Sequence, residues 1–117
     1  MFNELESEVL HRIMDAHLKV VYEPVLKVGT RRVIPDFQVG TTYIECTSDS
    51  QVRVKARRLG QKFRLLAEHY YPVKSLVVTL ARLRSKYRYY LETDVDVATV
   101  EDFIRLIPEF WCGPGRI

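Results

Sequence analysis

Residues 32–47 read RVIPDFQVGTTYIECT, and this stretch decides the fold. Arg32-Val33-Ile34 runs into Pro35-Asp36-Phe37 as one short strand. Gly40 marks a turn, and Thr42-Tyr43-Ile44-Glu45-Cys46 is a further strand of β-branched and aromatic residues. Just upstream, Val20, Val21, Val25 and Val28, with Tyr22 and Pro24 among them, form an imperfect strand closed by the turn Gly29-Thr30. Strands over 20–28, 32–37 and 42–46 on tight turns predict an antiparallel meander.

Helical spacing flanks the meander on both sides. Asn3 followed by Glu6 is an N-cap with its capping partner. Leu5, Val9, Leu10, Ile13 and Ala16 then recur with helical period, which predicts a first helix over 4–17. Downstream, Ser48 with Gln51 is a second capping signature. Val52, Ala56, Leu59, Phe63, Leu66, Ala67 and Tyr70 form one stripe of a long helix to about residue 70, ended by Pro72. Gly60 inside it costs about 1 kcal/mol against Ala. Residues 75–81, SLVVTLA, are nearly all apolar and suit a strand buried on both faces. Residues 82–88 then read as a basic connection, Tyr89-Tyr90-Leu91 as a short strand, and Thr99 with Asp102 as the cap of a last helix over 100–107. The order α-β-β-β-α-β with a small β and α tail predicts one α/β domain over residues 1–117, a central mixed sheet flanked by helices.

The chain has 117 residues, 47% hydrophobic and 28% charged, which excludes disordered and low-complexity classes. No apolar run approaches the roughly 20 residues of a membrane helix, so no membrane partner is expected. The acidic start MFNELESE is unlike a signal peptide. Cys46 and Cys112 are too few for a disulfide framework or a four-ligand zinc site, and a reducing, cytoplasmic compartment is expected. The net charge of +3 is unevenly spread. Residues 51–64 carry Arg53, Lys55, Arg57, Arg58, Lys62 and Arg64 without an acid, and residues 74–88 carry Lys74, Arg82, Arg84, Lys86 and Arg88 without one. A basic middle is either a solvated helix face or the footprint of an anionic partner, nucleic acid being the commonest.

Three carboxylates stand in positions that their neighbours do not explain. At about 100° of rotation per residue, Glu6 falls on the apolar stripe of the first helix, whereas Glu4 and Glu8 fall away from it. Glu6 either completes the capping box or faces a site. Asp36 follows Pro35 within a β-rich stretch, as a plain turn residue or at a strand end that aims its side chain. By alternation Tyr43, Glu45 and Thr47 share one face, and Thr42, Ile44 and Cys46 the other. Glu45 is a surface residue if its face is wet and a ligand if Asp36 lies beside it. The meander makes the two neighbours, within reach of one hard cation such as Mg²⁺. The basic helix that follows would then meet phosphates.

With Leu5-Glu6, Tyr22-Glu23-Pro24, Ile34-Pro35-Asp36-Phe37 and Tyr43-Ile44-Glu45-Cys46-Thr47 in this order, the sequence resembles the PD-(D/E)XK nucleases. The likeness covers about residues 3–81 and is nearest to phage endonuclease I-type Holliday-junction resolvases and transposon endonuclease subunits. It implies a restriction-endonuclease-like core and a Mg²⁺- or Mn²⁺-dependent DNA endonuclease of structure-specific type. It implies Asp36 and Glu45 as metal ligands, the carbonyl of Cys46 as a third, and Glu6 holding bound water or a second metal. The departure is Thr47, where the family carries its catalytic lysine. Some members move that lysine to the following helix, and Lys55 is the substitute expected here; Lys62, two turns on, is expected to lie too far away. Arg53, Arg57, Arg58 and Lys62, with Arg84, Lys86 and Arg88, are the expected phosphate contacts. The alternative is a catalytically degenerate nuclease fold that binds nucleic acid without cutting, and a third reading is a plain interaction domain.

His11, His17 and His69 have no metal spacing, and His17 is expected to pack. Cys46 points away from Glu45 and is expected to be a buried thiol. Tyr87, Tyr89 and Tyr90 interleave with bases, which suits stacking on nucleic acid, although packing is expected for Tyr89. Ile107, Phe110 and Trp111 either cap the core or form the seam of a homodimer, which symmetric cutting of two strands would favour.

Overall fold

Local sequence rules account for the first helix. In the computed structural model, which describes residues 3–70 and 73–111, α1 spans Glu4–Asp15. The Asn3 side chain accepts from the Glu6 N–H, and the Glu6 side chain accepts from the Asn3 N–H, a complete capping box. The helix closes with His17 at φ +59°, its N–H on Met14 O and the Leu18 N–H on Ile13 O. This is a Schellman stop with histidine in the usual glycine place. His17 is exposed there and does not pack as expected. The expected helix terminator Pro72, and Cys112, lie outside the described residues.

The meander forms, with more breaks than expected. The strand expected over 20–28 divides into β1 (Val21–Tyr22) and β2 (Leu26–Val28), because Glu23 at φ +49° and Pro24 interrupt it. The strand expected over 32–37 divides at Pro35 into β3 (Arg31–Val33) and β4 (Phe37–Val39). β2 and β3 pair only with each other, as a hairpin apart from the main sheet. Gly40 at φ +57° makes the turn into β5 (Thr42–Thr47).

β5 is followed by α2 (Val52–His69), β6 (Lys74–Thr79), α3 (Ala81–Tyr90) and β7 (Val95–Ala98). A 3₁₀ turn (Phe103–Leu106) and α4 (Pro108–Trp111) complete the described chain. The main sheet has five strands in the order β1-β4-β5-β6-β7, antiparallel on the first side and parallel from β5 to β7. The expected mixed sheet flanked by helices is therefore present.

Two expectations near the end of the chain are overturned. Residues 82–91 are neither a connection nor a strand but α3 and its C-cap. Leu83, Tyr87 and Leu91 recur at helical spacing and are buried, and β6 and β7 are parallel, so a crossover must join them. The helix expected over 100–107 shrinks to the 3₁₀ turn, although Asp102 Oδ1 does accept from the N–H and Oγ1 of Thr99, as its spacing implied. Residues 95–98 pass unnoticed in the sequence because Asp96 breaks their apolar pattern; in the sheet Asp96 Oδ2 meets Lys74 Nζ at 2.7 Å. The Ser48 cap is also absent: Gln51 is the N-cap of α2, and its N–H donates to Asp49 Oδ1.

The sheet separates two cores. On one face α1 and the 3₁₀ turn bury Val9, Ile13, Phe37, Ile44, Val78 and Phe103. On the other, α2 and α3 bury Tyr43, Leu59, Phe63, Leu66, Val77 and Tyr87. Each such side chain contributes about 1.5–3 kcal/mol by leaving water. Ile107 is fully buried against the α1-side core and caps it, while Trp111 is 53% exposed. Among the described residues no helix is long and apolar enough to cross a membrane.

Candidate functional site

Alternation along β5 sends Tyr43 into the α2 core and Ile44 and Cys46 into the α1 core, as expected. Glu45 lies on the α2 side, in a strand every residue of which is buried. It is only 4% exposed. Pairing of Phe37 with Ile44 and of Gln38 with Tyr43 places Asp36, one residue before β4, opposite Glu45. The Asp36 side chain turns toward the strand, and its Oδ2 accepts the Cys46 N–H at 2.7 Å. Its backbone carbonyl accepts the Glu23 N–H at 2.9 Å. Asp36 is thus fixed at both ends by neighbouring backbone.

Asp36 belongs to two electrostatic sets. On one side it raises the carboxyl of Glu6, which burial raises first and Glu23 raises further. On the other it acts on Glu45. Burial pushes Glu45 up to about 7, Asp36 adds to this, and Lys62 and then Lys55 oppose it. The Cys46 thiol is buried in the α1 core and held well above the ordinary range, by burial first and then by Asp36, Glu6 and Glu45. Its side chain packs as a small hydrophobe.

The lysine expectation needs correction. Lys62, expected to lie too far away, has its Nζ 2.6 Å from Glu45 Oε2. The loop 48–51 carries the chain past the end of β5 before α2 begins. At 1.5 Å per helical residue against about 3.3 Å per strand residue, α2 regains the level of Glu45 well into its length. Lys55 is half-buried two turns earlier and close enough to lower the Glu45 pKa, after Lys62.

Thr47, where the resemblance asks for lysine, is tied into the fold. It is 4% exposed. Tyr87 Oη donates to Asp49 O at 2.7 Å, so the Thr47 hydroxyl, 3.0 Å away, donates to Tyr87. Thr47 Oγ1 accepts from the Asp49 N–H, and Thr79 Oγ1 donates to Thr47 O at 2.6 Å. This network joins β5, β6 and α3 and leaves no room for a charged chain.

The remaining expected residues separate by position. Arg53, Arg57 and Arg58 are exposed on α2, and Lys86 is exposed on α3. Arg84 Nη1 lies 3.9 Å from Asp102 Oδ2, and Arg88 Nη2 donates to Val97 O at 3.1 Å, so both also serve the fold. Tyr89, expected to pack, is 80% exposed, and its ring meets Tyr90 edge-on at 4.9 Å. The tyrosine that packs is Tyr87.

Two residues take parts that the sequence does not reveal. One is Lys62 in its contact with Glu45. The other is Glu23, whose left-handed backbone, costly for a residue with a Cβ, holds Asp36 from behind. Its signal in the sequence is the motif Tyr22-Glu23-Pro24. Among the described residues no three or more His, Cys, Asp or Glu side chains are grouped so as to hold a metal ion. Asp36 and Glu45, opposite one another in the register of β4 and β5, are two carboxylates, and Mg²⁺ takes one or two from protein beside water and phosphate oxygens. Comparison with known protein families, with curated proteins and with solved structures finds no match for the chain.

Proposed function

We propose that the protein is a divalent-metal-dependent endonuclease of PD-(D/E)XK type acting on DNA, with a restriction-endonuclease-like core. The observation that carries this reading is the placement of Asp36 opposite a buried Glu45 whose other neighbour is the Lys62 ammonium. Burying an acid at the centre of a sheet is costly and has no packing purpose. An acid pair beside a lysine, followed by a helix bearing Arg53, Arg57 and Arg58, suits phosphodiester chemistry.

Asp36 and Glu45 would hold Mg²⁺ or Mn²⁺, with Glu6 and Glu23 adding negative potential from the α1 side. When bound, the cation supplies Lewis acidity toward a phosphate and neutralises its charge. The chain's own residues do the rest. The Cys46 N–H orients the Asp36 carboxylate, and Lys62 offsets charge on Glu45 and offers N–H donors toward developing negative charge. Lys55 adds positive potential from the same helix face. This reading replaces Lys55 with Lys62 as the principal stand-in for the lysine missing at Thr47. A homodimer remains part of the proposal for two-strand cutting.

The test is a cleavage assay on a four-way junction, linear duplex and single strand, with Mg²⁺, Mn²⁺ or EDTA. Metal-dependent cutting that is lost in Asp36→Asn supports the nuclease. Binding with no cutting in either metal would favour the degenerate, binding-only alternative.

A further inference from the structure

The β2–β3 hairpin stands outside the main sheet, and nothing in the acid site needs it. Its inward residues Val28 and Val33 are buried in the α2-side core, and Tyr70 Oη donates to Lys27 O at 2.7 Å. The hairpin is therefore anchored rather than loose. Arg31 and Arg32, consecutive on β3 and therefore on opposite faces of the hairpin, are both exposed. Between β3 and α2 runs an open groove of about 420 Å³, lined by Arg31, Arg32 and Ile34 on one wall and by Arg58, Lys62 and Leu65 on the other.

Three features of this groove point to a ligand. No acid lines it, and among the described residues Arg31, Arg32 and Arg58 form no ion pair. Like charges from two elements held side by side repel, so the arrangement costs stability unless an anion is shared. Ile34 is 41% exposed within it, an apolar strip between the cations. The groove also leads into the acid site, since Lys62 belongs to both and Ile34-Pro35 runs directly to Asp36.

We propose that this groove binds the sugar–phosphate backbone of the nucleic-acid strand that enters the acid site, with Arg31, Arg32 and Arg58 on its phosphates. The inference rests on the nuclease reading and names its substrate track. Planar guanidinium forks match phosphate oxygens two at a time, and the Ile34 strip accommodates the apolar faces of sugars.

The experiment is equilibrium binding of a labelled duplex and a labelled four-way junction in EDTA, by anisotropy, over a range of salt. Wild type is compared with Arg31→Gln/Arg32→Gln, with Arg58→Gln, and with Arg12→Gln on α1 as a control. Vesicles of phosphatidylserine and phosphatidylcholine form a parallel arm. Expected are an affinity loss of about tenfold or more for the hairpin pair and a salt slope smaller by about 1.8, as two phosphate contacts predict. Arg58→Gln should lose about half of that slope, Arg12→Gln none, and no variant should unfold at a lower temperature than wild type. Wild-type binding that the hairpin pair and Arg58→Gln leave intact would overturn the groove and spare the nuclease reading. Equal losses in Arg12→Gln, or vesicle binding that depends on these arginines without DNA binding, would overturn the groove as well. Absence of any wild-type DNA binding would remove both.

Discussion

Lys62 Nζ lies 2.6 Å from Glu45 Oε2, a salt bridge reaching from the middle of α2 to the middle of β5. The carboxylate is buried and the ammonium is partly open to solvent. Such a pair is worth little as net stability, but removing one partner leaves the other buried and uncompensated. The pair therefore makes Lys62 and Lys55 distinguishable by experiment. Lys62→Met should cut DNA cleavage by about 10²–10³-fold, the loss seen when a single stabilising donor is removed. Lys55→Met should cost less than about tenfold. Above pH 7, Lys62→Met should also lower unfolding stability by about 1–3 kcal/mol, read by urea titration.

Asp36→Asn should separate binding from chemistry. The asparagine oxygen can still accept the Cys46 N–H, so stability should change by less than about 1 kcal/mol. Cleavage should fall at least about a hundredfold while duplex affinity in EDTA stays within about twofold. Unfolding or loss of binding in this variant would contradict the role given to Asp36.

The Glu45 pKa, raised from its usual 4.5 to about 7 by burial and Asp36, makes stability pH-dependent. Between these values the folded protein holds a proton that the unfolded chain has lost. The stabilisation is full below pH 4.5 and is lost as pH rises through 7, to an extent of about 1–3 kcal/mol. Urea titrations from pH 5 to 8 should show this decline in wild type and a flatter profile in Glu45→Gln.

Thr47→Lys tests why the lysine is missing from its usual place. Thr47 is buried between Tyr87, Asp49 and Thr79. A lysine there would break the network and bury its charge, so the variant should lose at least about 3 kcal/mol and gain no activity. Tyr87→Phe, which removes only the hydroxyl contacts, should cost about 1–2 kcal/mol. A stable and more active Thr47→Lys would mean that the position can still take the lysine.

The amino-acid sequence alone determined what depends on local periodicity. The capping box of α1, the stripe of α2, the doubly buried β6 and the alternation that turns Glu45 and Cys46 to opposite faces all follow from spacings within one element. The neighbouring of Asp36 and Glu45 followed too, because a short turn leaves little choice of register. Tertiary structure decided what depends on distances between elements. Residues 82–91 are helical because β6 and β7 are parallel and must be joined by a crossover. Lys62 rather than Lys55 touches Glu45 because the loop 48–51 sets how far α2 runs past β5 before it returns. Arg31 and Arg32 line a groove with Arg58 because Val28 and Val33 anchor the hairpin in the α2-side core. Side-chain period is a property of neighbouring residues and can be read in order. Where two helical turns meet a strand is set by packing and loop length across the whole chain, and no single stretch encodes it.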